Sequence, residues 1–99
     1  MYKRQGVDYY LRVKGDSMID VGIFENDLIA VNKGLNIKKG SIVIARIDDE
    51  VTVKTLKEFS ANKVILKAEN PNYKDIIVNP NNITFDFEGT CVGLIRNIS

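Results

Sequence analysis

Residues 41–59 read SIVIARIDDEVTVKTLKEF, and the fold class follows from them. Ser41 to Ile47 and Glu50 to Phe59 are rich in branched residues, and only the polar pair Asp48-Asp49 lies between them, which leaves room for a chain reversal and little else. The stretch predicts a β-hairpin. Outward from it the pattern repeats: Asp27 to Val31 on the N-terminal side and Lys63 to Ala68 on the C-terminal side read as strands. Tyr9 to Val13 is a further strand ending at Lys14-Gly15-Asp16, the segment Asp20 to Asn26 must bend, and Lys38-Lys39-Gly40 punctuates before the hairpin. After Asn70-Pro71-Asn72, a turn by local backbone preference, come Ile76 to Val78, Ile83 to Phe87 and Thr90 to Ile95. No stretch of twelve residues carries a clean 3.6-residue apolar period, whereas strand-sized pieces recur every eight to twelve residues. The expectation is one mostly β, folded-over domain spanning residues 1–99.

Ninety-nine residues, 44% apolar and 27% charged, suffice for one core and not for two ordinary domains. Histidine is absent, which removes the Ser-His-Asp triad, the Cys-His dyad and histidine metal sites. Proton chemistry must then use Lys, Asp, Glu or Tyr. The single cysteine, Cys91, can neither close an intrachain disulfide nor build a cysteine-rich zinc site. The opening Met1-Tyr2-Lys3-Arg4 lacks the apolar run of an export signal, so a cytoplasmic, reduced setting is expected. Fourteen basic and thirteen acidic residues leave a net charge of +1, which supplies no field for gathering phosphate backbones; direct nucleic-acid binding by this chain alone is disfavoured. No uninterrupted apolar run exceeds four residues, as in Ile42 to Ala45, far short of a membrane span. No cofactor and no metal is expected.

Gly15-Asp16-Ser17-Met18 stands where a strand should end. A serine at such a turn exposes its hydroxyl and keeps its backbone N–H out of any ladder, which is half of a nucleophile site. For an isolated Gly-Asp-Ser the ordinary reading is a turn and nothing more. The other half must be a base, and without histidine the conventional choice is a neutral lysine made less basic by desolvation. Lys54 is the candidate, on a strand face shared with Thr52 and Leu56. Its pKa would have to fall from roughly 10.4 to about 7–8, roughly 3–5 kcal/mol of lost ammonium stabilisation, which an apolar cleft can supply. Taken alone, a strand lysine more often carries its charge outward to water.

The spacing of 37 residues between Ser17 and Lys54 joins these signals to a larger pattern. Leu11 to Asp20, Gly22-Ile23, Asp27 to Val31, Ala45 to Lys54 and Glu88 to Asn97, in this order, resemble the C-terminal peptidase domain of the LexA/UmuD family. The resemblance runs from about Tyr10 to Asn97. It implies a single compact domain of highly twisted antiparallel sheets, with Ser17 as nucleophile, Lys54 as general base, and the backbone N–H groups of Asp16 and Ser17 as the oxyanion hole. It further implies cleavage of an Ala-Gly or Cys-Gly bond in an upstream segment of the same protein, activation by a RecA-type filament, and a role in the SOS response to DNA damage.

Two departures stand out. Relatives are cut far upstream of the serine, yet sixteen residues precede Ser17 here and no Ala-Gly or Cys-Gly pair occurs. The chain is therefore expected not to cleave itself in the family's usual way, and to be either a repressor fragment or a short form like the trimmed UmuD product that assists an error-prone translesion polymerase. The blocks at 46–54 and 93–97 look closer to the LexA type. Second, Asn26 stands before Asp27 where a glycine is common; asparagine tolerates positive φ, so the turn should survive. A membrane-bound signal peptidase shares the Ser-Met element and lysine base, but Asp20-Val21-Gly22 stands where those enzymes tend to carry Pro-Thr.

Of the remaining polar groups, Asp48-Asp49-Glu50 is better read as a solvated hairpin tip than as a metal site, and Lys33, Lys38 and Lys39 as a solvated face. Cys91 reads as a small buried thiol. Met18 fits either a substrate cleft or the core. The last strand, Cys91 to Asn97, is expected to pair with its twin in a homodimer.

Overall fold

The fold was obtained as a computed structural model that describes residues 6–34 and 37–96. Seven strands form: β1 (Tyr9–Arg12), β2 (Leu28–Asn32), β3 (Ile42–Ile47), β4 (Glu50–Ser60), β5 (Lys63–Lys67), β6 (Ile76–Val78) and β7 (Phe85–Ile95). They make one hydrogen-bonded sheet in the order β1-β2-β7-β3-β4-β5-β6, with every neighbouring pair antiparallel. A single 3-10 turn, Ile19–Val21, is the only helical piece among the described residues; no helix there is long and apolar enough to cross a membrane.

The hairpin at 41–59 forms as its sequence dictates. Ile42 pairs with Thr55 and Ile47 with Glu50, closed by the two-residue tip Asp48-Asp49, where Asp48 takes φ 53°. Val43, Ile44 and Ala45 are each fully buried. Successive strand residues face opposite ways, so β3 feeds two hydrophobic clusters at once. Ile44 joins Val13, Met18, Ile23, Ile29 and Val31, while Val43 and Ala45 join Leu56, Val64, Leu66 and Val78. An apolar run without alternation is what a strand covered on both faces requires.

One expectation fails. Ile83 to Phe87 and Thr90 to Ile95 are not separate strands, because Phe85 to Ile95 is continuous. The apparent break at Glu88-Gly89 is a bulge: Ile44 pairs with Gly89 and Ala45 with Phe87, which leaves Glu88 as the extra residue. A second irregularity lies between Gly93, opposite Ala30, and Cys91, opposite Val31. The double kink lets β7 pair first with β3 and then with β2, and this joins the two halves of the sheet. Gly89 is required there by space, since a Cβ would lie 2.5 Å from the Asn32 carbonyl oxygen and 2.7 Å from Val31 Cγ1. Gly89→Ala is expected to destabilise by about 1–3 kcal/mol, a Tm fall of roughly 5–20 °C; a thermal melt matching the parent would refute the packing argument.

Beyond the end of β7, Arg96 locks the loop that leads into β2. Its Nε and Nη2 donate to Asp27 Oδ1 and Oδ2, both at 2.8 Å, and Nη2 also reaches the Gly22 carbonyl at 2.8 Å. The guanidinium stands 4.8 Å from the Phe24 ring centroid. Arg96, with help from the Phe24 N–H, holds the buried Asp27 carboxyl down at about 2. Asn26 takes φ 75°, so asparagine does occupy the left-handed position expected of it.

Candidate active site

The turn that carries Ser17 begins where β1 runs out of partners. Pairing between the two segments continues past Arg12, with the Val13 N–H donating to the Asp27 carbonyl and the Asn26 N–H to the Val13 carbonyl, both at 2.9 Å. Gly15, at φ 79°, then swings the chain away, a conformation costly to residues with a Cβ. Its N–H donates to Glu25 Oε1 at 3.1 Å. Met18 is 2% exposed and belongs to the first cluster while also facing the groove beside Ser17. Met18 is thus a core residue that also lines the groove.

Lys54 lies on β4, opposite Val43, and is 8% exposed. Its Nζ sits 3.1 Å from Ser17 Oγ, 2.7 Å from Thr52 Oγ1 and 3.1 Å from the Val53 carbonyl oxygen. The structure thus brings together two residues 37 positions apart. An ammonium has three N–H groups, and these three acceptors use all of them. Burial pushes the Lys54 pKa below its ordinary 10.5, because desolvation penalises the charged form. Once neutral, the amine keeps two N–H bonds and gains a lone pair; with Val53 O and Thr52 Oγ1 accepting, the lone pair is directed at the Ser17 hydroxyl. Thr52 was visible in the sequence only as a residue on the same face of the strand. The geometry gives it a part in orienting the amine.

The serine and lysine open onto a groove of about 290 Å³ whose walls include Leu11, Val13, Val51 and Val53. Among the described residues, neither the Asp16 nor the Ser17 backbone N–H donates to a protein acceptor. The Asp16 carbonyl, by contrast, accepts from Asn70 Nδ2 at 2.8 Å, and the Asp16 carboxylate accepts from the Tyr73 hydroxyl at 2.5 Å.

Other candidates lie apart from this groove. Lys33, Lys38 and Lys39 are exposed, as is the Asp48-Asp49-Glu50 tip. Cys91 is half-buried rather than enclosed; burial raises its thiol pKa, and Sγ lies 3.4 Å from the Gly93 carbonyl oxygen. Residues 91–95 of β7 pair with β2 on one edge, while β3 pairs only with 85–90, so among the described residues no strand covers the other edge of 91–95. Leu94 and Ile95 are exposed there. Asn97, the end of the segment expected to pair in a dimer, lies outside the described residues.

Against known proteins, the family model described as Peptidase S24-like matches residues 1–92. A LexA repressor from Dechloromonas aromatica (strain RCB) is 54% identical over 89 residues, covering 90% of this chain and 44% of that protein. The chain thus spans less than half the length of this curated relative.

Proposed function

The chain belongs to the Peptidase S24-like family, and on that premise we propose that it is the self-cleavage and dimerisation domain of a LexA-like repressor of the SOS response, with Ser17 and Lys54 as its catalytic dyad. The observation that carries this reading is the buried Lys54 amine 3.1 Å from the Ser17 hydroxyl. Neutral Lys54 takes the serine proton as Oγ attacks the scissile carbonyl carbon. The negative charge that develops on the carbonyl oxygen is met by the N–H groups of Asp16 and Ser17. Lys54, now an ammonium, passes its proton to the departing amine nitrogen as the peptide C–N bond breaks, which leaves an ester on Ser17. Water then attacks the ester as Lys54 accepts its proton; the acyl C–Oγ bond breaks, Lys54 returns that proton to Ser17 Oγ, and the product acid leaves as its carboxylate after losing a proton to solvent.

The substrate on this reading is an Ala-Gly type bond in a segment upstream of the peptidase domain, presented in the cytoplasm under the influence of a RecA-type filament. The groove that would receive it is lined by Leu11, Val13, Val51 and Val53 together with Arg12 and Lys14. The uncovered edge of residues 91–95 supports pairing with a second copy; a mass by light scattering equal to one chain would remove the dimer.

The 99 residues hold no Ala-Gly or Cys-Gly pair, so the test is made in trans. A synthetic peptide spanning an Ala-Gly bond, incubated with the parent chain, should yield two fragments, and Ser17→Ala should yield none. Equal cleavage by both proteins would refute the dyad.

A further inference from the structure

A side chain reaches the serine turn from 54 positions along the chain. Asn70 is 4% exposed, and its Nδ2 donates to the Asp16 carbonyl at 2.8 Å. Its Oδ1 accepts from the Asn72 N–H at 3.0 Å, which fixes which end of the carboxamide faces Asp16. Pro71 follows and restricts the Asn70 backbone to extended conformations. The segment is anchored on both sides: the Glu69 carboxylate accepts from Thr55 Oγ1 at 2.7 Å, next to Lys54 on β4, and the Glu69 carbonyl accepts from the Asp20 N–H at 2.9 Å.

The Asp16 carbonyl belongs to the same planar peptide unit as the Ser17 N–H, and in a trans peptide the two point in opposite directions. No cis peptide occurs among the described residues. Whatever holds the carbonyl on the back of the turn therefore aims the N–H toward the front. Among the described residues, the one other donor to that carbonyl is the Ile19 N–H, at a longer 3.4 Å. We infer that Asn70 is a positioning residue of the peptidase site, pinning the Asp16–Ser17 peptide plane so that the Ser17 N–H faces the oxyanion. The inference rests on the proposed dyad and oxyanion hole, and it assigns the otherwise turn-forming Asn70 to the reaction.

Asn70→Asp keeps the size and the acceptor for Asn72 but puts a carboxylate oxygen against the Asp16 carbonyl; Asn70→Ala removes the carboxamide. With the trans peptide assay, each run well below its own Tm, both should lower the plateau of the pH–rate profile by about tenfold or more, short of the ~10²–10³ of losing an oxyanion donor outright. In Asn70→Ala the profile midpoint and KM should stay at parental values, because Lys54 and the groove walls are untouched and no charge is added; the carboxylate of Asn70→Asp should move the midpoint up. Tyr73→Phe, which frees the Asp16 carboxylate and not the peptide plane, should stay within about twofold of the parent. In a 15N–1H spectrum the Ser17 amide resonance should move in both Asn70 variants and hold in Tyr73→Phe.

A parental plateau in both Asn70 variants overturns the inference, as does a plateau loss in Asn70→Ala accompanied by a shifted midpoint or raised KM, which would place Asn70's effect on the dyad or the groove. Should either variant fail to fold, the other and the Ser17 resonance decide. Failure of the underlying reading looks different: the parent then cleaves nothing, or Ser17→Ala and Lys54→Ala cleave as fast as the parent.

Discussion

Lys54→Met and Lys54→Arg should both slow cleavage of an Ala-Gly peptide by a factor on the order of 10²–10⁴, the usual worth of a positioned general base. The two variants remove different things. Methionine keeps much of the stem and deletes the amine; arginine keeps the positive charge but does not deprotonate in a protein. If Lys54 acted by its charge alone, arginine would preserve part of the rate, whereas a lone pair aimed at Ser17 Oγ has no equivalent in a guanidinium. The stability of the variants should diverge from their activity. Lys54 is buried with its amine held by two neutral side chains and a carbonyl rather than by a carboxylate, so replacing it with an apolar residue of similar volume should leave Tm unchanged or raised. A Lys54→Arg chain that retains parental turnover would end the general-base assignment, and a Lys54→Met chain with a sharply lowered Tm would show that the amine is structural.

The contrast between parts of this molecule legible in the sequence and parts that are not follows the range of the forces involved. The hairpin at 41–59 was legible because alternation and a two-residue polar tip are local signals, and its strands begin within one residue of the expected places. Thr52 was legible as a neighbour of Lys54 by the two-residue period. Glu88-Gly89 misled because a glycine that permits a bulge and a glycine that permits a turn look alike in sequence; only the Asn32 carbonyl and Val31 packed against Gly89 distinguish them. The meeting of Ser17 with Lys54 was not readable from the serine turn or from β4 alone. It emerged from several separated blocks resembling one family, and the family is shown by the comparisons while the roles of the two residues await the assays above. Asn70 and the Asp27–Arg96 pair gave no local signal at all, since their hydrogen bonds span 54 and 69 positions. Asn70-Pro71-Asn72 has the composition of a turn, and a turn composition says nothing about where an asparagine's carboxamide points.

Cleavage should rise with pH about tenfold per unit until Lys54 is deprotonated and then level off, at a midpoint below the ordinary 10.5 of a lysine. The cause is the burial that depresses the amine's pKa in the folded chain, and the same cause fixes the sign of the stability effect. Between the folded and unfolded pKa values of Lys54 the unfolded chain binds more protons, so stability rises with pH across that window. Below the folded value the buried ammonium costs stability in full; above 10.5 the cost is gone. The parent should therefore gain stability relative to Lys54→Met as pH is raised toward and past 10.5. Asp27, whose pKa is likewise depressed, gives stability the same upward slope at the acid end, where the contribution of its Arg96 pair is present above 3.8 and lost as pH falls toward about 2. Those two windows do not overlap, so the alkaline rise reports on Lys54 once the Met variant is subtracted. A peptide lying in the groove displaces further water from the amine, which places the kcat midpoint, set by the substrate complex, below the kcat/KM midpoint, set by the free protein. A rate profile with no inflection below 10.5, or a parent and Met variant whose stabilities run parallel through the alkaline range, would mean that the amine is solvated and that Ser17 draws on some other base.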